Sequence, residues 1–378
     1  DSVNNLYVGT QQGIYKLVNK RFELLLQPNQ LVNSAAYTLY FDHDDTLWVG
    51  TKAGLQSFNT RNENNSHSAI SNISGAMQES GRWLAGLQIQ AVYRDSQSRL
   101  WVGTEQGMFL REQAAGNFIQ VGIDNNTKNR SFRAIKEFKK QLYFGTQNGL
   151  LLYEESSGRL NRSKYFEDSF VTSLIEVRDL LLAGSYGEGL GVFDGVNWHS
   201  VRVKQGLVFD SSFSLTLFSD SIWVSGFDGV YRLYLESLNE YLSEQRKDVL
   251  TEPVLKDSGY LAGSEKAYCC NGAGHAKSVR LNDAIWYPTR KGVLKLQPNK
   301  VVRDLPTVHT FIEQINSPDG LVDMYFIDQG IHQYKKRQFV ARDISFRFNG
   351  LTSLDEGLVK YQYRLIGYSP QWKTNGSD

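Results

Sequence analysis

Cysteine is almost absent from this sequence. Two residues in 378 carry a thiol, Cys269 and Cys270, and they are neighbours. A pair so placed supplies neither a disulfide framework nor a zinc site, which needs about four spaced ligands. Adjacent cysteines bridge only across a strained backbone, so a vicinal disulfide stands as the alternative to two reduced thiols. No apolar run approaches the ~18 residues of a membrane-spanning helix. A charge imbalance is lacking too. With 41 basic and 40 acidic residues the net charge is +1, which argues against a nucleic-acid footprint or a polybasic membrane patch. Proline (7) and methionine (3) are scarce. The chain opens on Asp1 without a signal peptide, and is expected to be a fragment of a longer protein.

Aromatic residues and glycine are plentiful: 20 Tyr, 20 Phe, 7 Trp and 33 Gly. That composition favours sheets over helices. The sequence also repeats itself. LYVGTQQG at 6–13 recurs as LWVGTKAG at 47–54, LWVGTEQG at 100–107 and LYFGTQNG at 142–149. LLAGSYGEG at 181–189, IWVSGFDG at 222–229 and IWYPTRKG at 285–292 complete seven copies. From Tyr7 through Trp48, Trp101, Tyr143, Leu182 and Trp223 to Trp286, the steps are 41, 53, 42, 39, 41 and 63. The short steps match a four-stranded propeller blade, and the long ones carry insertions.

Each copy has strand chemistry. An apolar run leads to a small polar pair, a two-residue loop and a glycine able to re-enter a strand at positive φ. The copy ending at Gly189 has one extra loop residue. A second strand follows each copy and another precedes it, often ending at a turn aspartate (Asp45, Asp179, Asp220, Asp283). The expected fold is all-β, a seven-bladed β-propeller over residues 1–304 followed by a partial immunoglobulin-like β-sandwich over 305–378. Because the first copy starts at its turn strand, blade 1 should lack an innermost strand of its own.

The LWVGT strands, their glycine turns and the Gly86-Leu87 and Gly206-Leu207 linkers resemble the two-component regulator propeller. LYLESLNEYL at 233–242 and the stretch YCCNGAGHAKSVRLNDAIWYPTRKGVLKLQP at 268–298 look like the last blade of that family. Ser237 and Glu240 fit a capping box for its short helix. FVARDISFRFNGLTSLDEGLVKYQYRLIGYSPQW at 339–372 is similar to the opening half of a Y-Y-Y domain, and the chain is expected to stop partway through it. The resemblance implies the periplasmic ectodomain of a bacterial inner-membrane signalling protein. It further implies a homodimer in the full-length protein, membrane attachment only through a segment outside this chain, and a cytoplasmic diguanylate cyclase or, next, a histidine kinase. The Cys-Cys-Asn-Gly-Ala-Gly form is closer to the cyclase-linked branch.

Loops on a rigid scaffold carry function. The seven turn loops are expected to share one face with two insertions, 59–85 and 235–268. Candidate ligand-binding residues there are Glu105, Gln147, Tyr186, Phe227, Asp228, Arg290 and Lys291 from the turns, with Asn271 and His275 from the last crossover. Each taken singly also fits a solvated turn residue. Together they suit an unidentified polar small molecule or glycan. Trp83, in the first insertion, and Trp198, in an outer strand, read as packing residues as readily as stacking platforms. His275 has no partner at ligand spacing, so no metal is expected, and no cofactor.

No catalytic motif occurs: neither a nucleophile elbow, nor H-E-x-x-H, nor a phosphate loop or dinucleotide fingerprint. The acidic runs at 42–45 and 154–155 read as turns and solvated edges. An extracytoplasmic sensor is the leading expectation, a propeller lyase or hydrolase the second, and a protein-binding scaffold the third.

Overall fold

The computed structural model describes residues 1, 5–42, 46–59, 77–113, 116–123, 131–227, 229–256, 277–289, 292–300, 309–317, 320–323, 345–351, 361–363 and 373–375. The chain divides into two compact units, Asp1–Val301 and Val302–Asp378. The first holds seven sheets, one per motif copy and antiparallel within each motif hairpin, and is a seven-bladed propeller. Blade 2 is representative, with strands Ala36–Phe41, Thr46–Thr51, Gly54–Asn59 and Gln78–Trp83 running in sheet order from the innermost outward. Blades 3 to 6 follow the same order, and blade 4 gains a fifth strand, Gly122–Ile123, parallel to Arg159–Arg162.

Blades 1 and 7 each show three strands among the described residues. Blade 1 (Tyr7–Thr10, Gly13–Val18, Arg21–Leu26) begins at its motif strand, with no inner strand beside it among those residues. A cavity of about 400 Å³ lies along that side, lined by Tyr7, Tyr37, Phe41, Lys277 and Trp286 among others. Blade 7 comprises Val279–Leu281, Ala284–Thr289 and Gly292–Leu296.

The repeated letters have separate physical jobs. The motif threonine closes the turn. Thr10 Oγ1 donates to the Gly13 carbonyl (2.9 Å) and accepts from the Gln12 amide (3.0 Å). Thr51, Thr104 and Thr146 repeat both bonds. Ser185 makes the same clasp around its longer loop. Gly13 takes φ +109°, a region L side chains avoid. The earlier glycine serves packing instead. At Gly103 a Cβ would sit 2.8 Å from the Phe132 Cβ on the inner strand of the next blade, and at Gly145 2.9 Å from Val171. Absence of a side chain there lets successive blades close on one another.

Between blades lies the core. Trp101, Met108 and Leu110 of blade 3 pack against Phe132, Phe144 and Leu151 of blade 4. The motif Trp is anchored by a buried carboxylate in blades 2 and 3. Trp101 Nε1 donates to Asp95 at 2.8 Å, and Trp48 Nε1 to Asp42 at 3.3 Å. Asp42 also pairs with Arg94 and is 7% exposed. This corrects the reading of the 42–45 run as solvated at Asp42. His43, Asp44 and the expected turn residue Asp45 lie outside the described residues.

Two further expectations are overturned. The helix Leu235–Leu242 joins the third strand of blade 6 to the fourth. Strand direction therefore puts it on the face opposite the turn loops, as the bond from the Leu235 amide to the Asp220 carbonyl, in the turn between the first two strands, confirms. Of the other insertion, residues 60–76 lie outside the described residues. The helix has no capping box. Tyr234 is its N-cap, Ser237 Oγ donates back to the Tyr234 carbonyl (2.8 Å), and Glu240 faces Arg246. Trp83 belongs to the outer strand of blade 2, its ring 5.2 Å from Trp48. Trp198 stacks on Phe193 at 5.2 Å in the outer strand of blade 5.

In the second unit, His309–Ser317 pairs with both Gly320–Asp323 and Ser345–Leu351, and Tyr361–Tyr363 pairs with Lys373–Asn375. All pairs are antiparallel.

Candidate functional site

Four of the candidate residues fall on described turns: Glu105, Gln147, Tyr186 and Phe227. Asp228, Asn271, His275, Arg290 and Lys291 lie outside the described residues, as do Cys269 and Cys270. Hairpin geometry aims the four outward. The Glu105 amide donates to the Gln88 carbonyl, that of Gln147 to Ser131, and that of Tyr186 to Phe170, so each loop is pinned to the start of its own inner strand.

Tyr186 and Phe227 meet. Their rings are 4.8 Å apart edge to face, and both touch Phe213, at 5.3 and 4.6 Å. Tyr186 also stacks on Phe170 (5.8 Å, 14° between planes). Tyr186 remains 46% exposed and Phe227 40%, so the cluster offers aromatic surface to solvent. Arg133 extends it, with its guanidinium 5.6 Å from the Phe170 ring centre. Glu105 completes the row 3.9 Å from Arg133, and Gln88 Nε2 donates to Glu105 at 2.6 Å. Gln147 is exposed on the same face, and no bond of its side chain joins it to this row.

The polar wall beneath this patch was not anticipated from the sequence. In the inner strands of blades 2 to 5 the register against the motif strand slips by one residue, at Tyr37, Gln90, Arg133 and Thr172. A bulge re-aims the extra residue. Gln90 and Arg133 line the axial channel, a cavity of about 250 Å³ that also touches Ser173, Ser214, Lys277 and Ser278. Lys277, just before blade 7, crosses to donate to the carbonyls of Thr172 (2.6 Å) in blade 5 and Phe213 (3.3 Å) beside blade 6. The residue keeps partial exposure, yet burial of its ammonium, and secondarily the Arg133 charge, lowers its pKa to about 7. Burial likewise lowers the Arg133 pKa, and Glu105 opposes that shift. A usable signal was present. Aligning the copies stacks Gln90, Arg133 and Thr172 in one column, two residues into strands that are otherwise apolar at their start.

Repeat and ring define a seven-bladed β-propeller with aromatic side chains exposed on its turn-loop face. Residues 30–53 and 84–106 match the profile of the two component regulator propeller. Among curated proteins none matches the sequence. Two similar structures are extracellular domains of hybrid two component systems from B. thetaiotaomicron. One is 17% identical with a TM-score of 0.60, covering 99% of this chain and 49% of that one. The other is 17% identical with a TM-score of 0.55, covering 82% and 38%. A computationally designed protein, Ika8, is 13% identical with a TM-score of 0.50, covering 77% and 92%. This chain thus spans about half, or less, of the two bacterial domains. At such identities the likeness concerns fold. Among the described residues no helix is long and apolar enough to cross a membrane, and no cluster of three metal-ligating side chains occurs.

Proposed function

We propose that this chain is the extracytoplasmic sensing part of a bacterial two-component-type signalling protein, and that it reads a polar, ring-shaped small molecule or short glycan on its turn-loop face. The observation that carries this reading is the exposed Tyr186–Phe227 pair on Phe170 and Phe213, flanked by Arg133 and Glu105. Aromatic faces stack on sugar rings while flanking charges orient hydroxyls. The match to the regulator propeller and the two hybrid-system ectodomains of like fold support the signalling context. The antiparallel strands of the second unit would open a Y-Y-Y sandwich that carries the signal toward the membrane within a homodimer. The output is a diguanylate cyclase by the resemblance of residues 268–298, and a two-component output by the hybrid-system neighbours. A ligand drives either only through different affinities for two states.

Thermal unfolding against sugars, amino acids, nucleosides and short glycans tests the proposal. A ligand at 100 times its Kd adds about 2.7 kcal/mol to the folded state, a shift of several degrees. The shift should vanish in Phe227→Ala and Tyr186→Ala. A saturable shift that survives both substitutions would remove the loop face as the site.

A further inference from the structure

We propose that the seam between blades 2 and 3 holds a binding site for a small monocarboxylate of the hydroxy-acid class, taken by the Arg111 guanidinium toward the face opposite the turn loops. This goes beyond the sensing role and does not rest on it.

Arg111 breaks the pattern of the repeat. Four residues after the turn glycine, every other copy carries an apolar side chain: Leu17, Phe58, Tyr153, Phe193, Leu233 and Leu296. Phe58, Tyr153 and Leu233 belong to the buried cores between successive blades. Tyr153 is representative, its ring 4.8 Å from Trp101 of the preceding blade. At the same place Arg111 sets a guanidinium 5.8 Å from the Trp48 ring centre, 4.9 Å from Trp83 and 5.8 Å from Phe118. Burial, and secondarily the Arg94 charge, lower its pKa, so a cation is held there against a desolvation cost.

That cation keeps donors to spare. Ring faces attract its charge, while its N–H groups call for oxygen acceptors. Nε donates to the Gln113 carbonyl at 3.2 Å, and among the described residues no acceptor meets the two Nη groups. The neighbouring arginine is fully engaged. Arg94 pairs with Asp42 through Nε and Nη2, and its Nη1 donates to the Ser98 carbonyl at 2.7 Å. Glu79 is taken by Arg82. A carboxylate presents two oxygens to the paired Nη groups, the bidentate geometry of strong charge-assisted bonds. Because Asp42 already balances Arg94, one carboxylate suffices, and a second would be repelled by Asp42.

A cavity of about 210 Å³ adjoins Arg111, lined also by Thr46, Trp48, Ser57, Ser80 and Trp83, and among the described residues no carboxylate lines it. Small side chains make the room. Ser57 takes the position that Leu110 and Leu152 fill in blades 3 and 4, and Ser80 is the extra residue where the outer strand slips register. Their hydroxyls bond each other at 2.8 Å, which leaves one O–H of the pair to donate elsewhere, and Thr46 adds a third hydroxyl. The two indoles supply an apolar wall. Such a volume lies below the range of drug-sized pockets, so a short carbon chain bearing one carboxylate and a hydroxyl matches cation, wall and hydroxyls together. Thr46 and Leu100 begin motif strands that end at the turn loops, so the cavity lies toward the other face, away from Tyr186 and Phe227.

Isothermal titration of the 378-residue chain with 2-hydroxybutyrate tests the assignment, with 2-hydroxybutyramide, malate and inorganic phosphate as controls. Saturable binding of 2-hydroxybutyrate is the expected result, with the amide silent and malate and phosphate weaker by about tenfold or more. Arg111→Gln should weaken Kd by about tenfold or more, and Arg111→Lys, which keeps the charge without the fork, should fall between. Ser80→Leu, at an exposed position of the outer strand, should fill the cavity and abolish binding with Arg111 in place. Thermal melts check that each variant folds, and should Arg111→Gln fail to fold, Ser80→Leu decides. Binding unchanged in the folded variants would overturn the site. So would a folded wild-type chain that binds no 2-hydroxybutyrate, or one that takes the amide or phosphate as tightly. Binding of 2-hydroxybutyrate that vanishes in Tyr186→Ala would also overturn it, by moving the acid to the turn-loop face.

Discussion

The seam between blades 5 and 6 and the seam between blades 7 and 1 are built from the same repeat, yet they differ sharply in depth. Fifteen buried apolar residues, from Val177 through Ile222 and Tyr231 to Val249, form the core around the first. Among the described residues three, Leu6, Ala284 and Trp286, form the second, which borders the cavity of about 400 Å³ beside blade 1. Local motif quality does not explain the contrast. Thr10 and Thr289 close their turns as Thr104 does, at 2.9, 3.0 and 2.8 Å. What differs is the neighbour. In blade 7 Pro288 holds the position that glycine holds at Gly103, and blade 1 shows no inner strand among the described residues. Since most contacts of a blade are with its neighbours, stability is close to a sum of seam terms, and the shallow seam is where the ring is expected to open first.

Truncation exposes that contrast most strongly. Ile222→Ala, at a side chain with no exposure, should cost about 4 kcal/mol in urea unfolding, and Leu6→Ala about 1, because Leu6 already borders open space. Equal losses would break the comparison. The next effect concerns the carboxylate clasps. Asp95 accepts from the Gln97 and Arg99 amides, the Arg99 side chain and Trp101 Nε1, at 2.7 to 3.0 Å. Asp95→Ala should cost about 3 kcal/mol by orphaning those donors. Among the described residues Asp283 in blade 7 makes one solvent-exposed bond, accepted from Gln297, and its replacement should cost under about 0.5 kcal/mol. Trp286 Nε1 has no acceptor among the described residues, in line with that difference.

The smallest effect is pH-dependent. Lys277 titrates near 7 in the folded chain, against 10.5 for an ordinary lysine. Below pH 7 both states are protonated and the burial penalty is fully present. Between about 7 and 10.5 the folded state has released a proton the unfolded state keeps, so stability rises with pH. Lys277→Met should raise stability at pH 6 by on the order of 2 kcal/mol, after discounting for partial exposure, and the gain should shrink toward pH 10. A gain constant with pH would sever Lys277 from the channel electrostatics.

Seven blades, their phase and their turns were legible in the sequence because the clasp is local. A threonine, two loop residues and a glycine bond to one another within four positions, so the chemistry is written in adjacent letters. Tyr186 and Phe227 were legible as loop residues but not as partners, since they lie 41 positions apart on neighbouring blades. The helix Leu235–Leu242 was assigned to the wrong face because that depends on which pair of strands it joins, and the strand boundary at 251–256 carries a weak pattern. Asp42 passed for a solvated turn because nothing in its own stretch reports that Trp48 and Arg94 would enclose it.

The sequence by itself determined the repeat, the number of blades and the closure of each turn, all of them products of short-range bonding and period-two burial. Only the tertiary structure decided which polar residues share the axis. Gln90, Arg133 and Lys277 lie 43 and 144 positions apart, and a one-residue bulge, invisible in composition or hydropathy, turns the first two inward. Ring closure then brings the third to them, because seven sheets packed face to face around one axis leave one common interior.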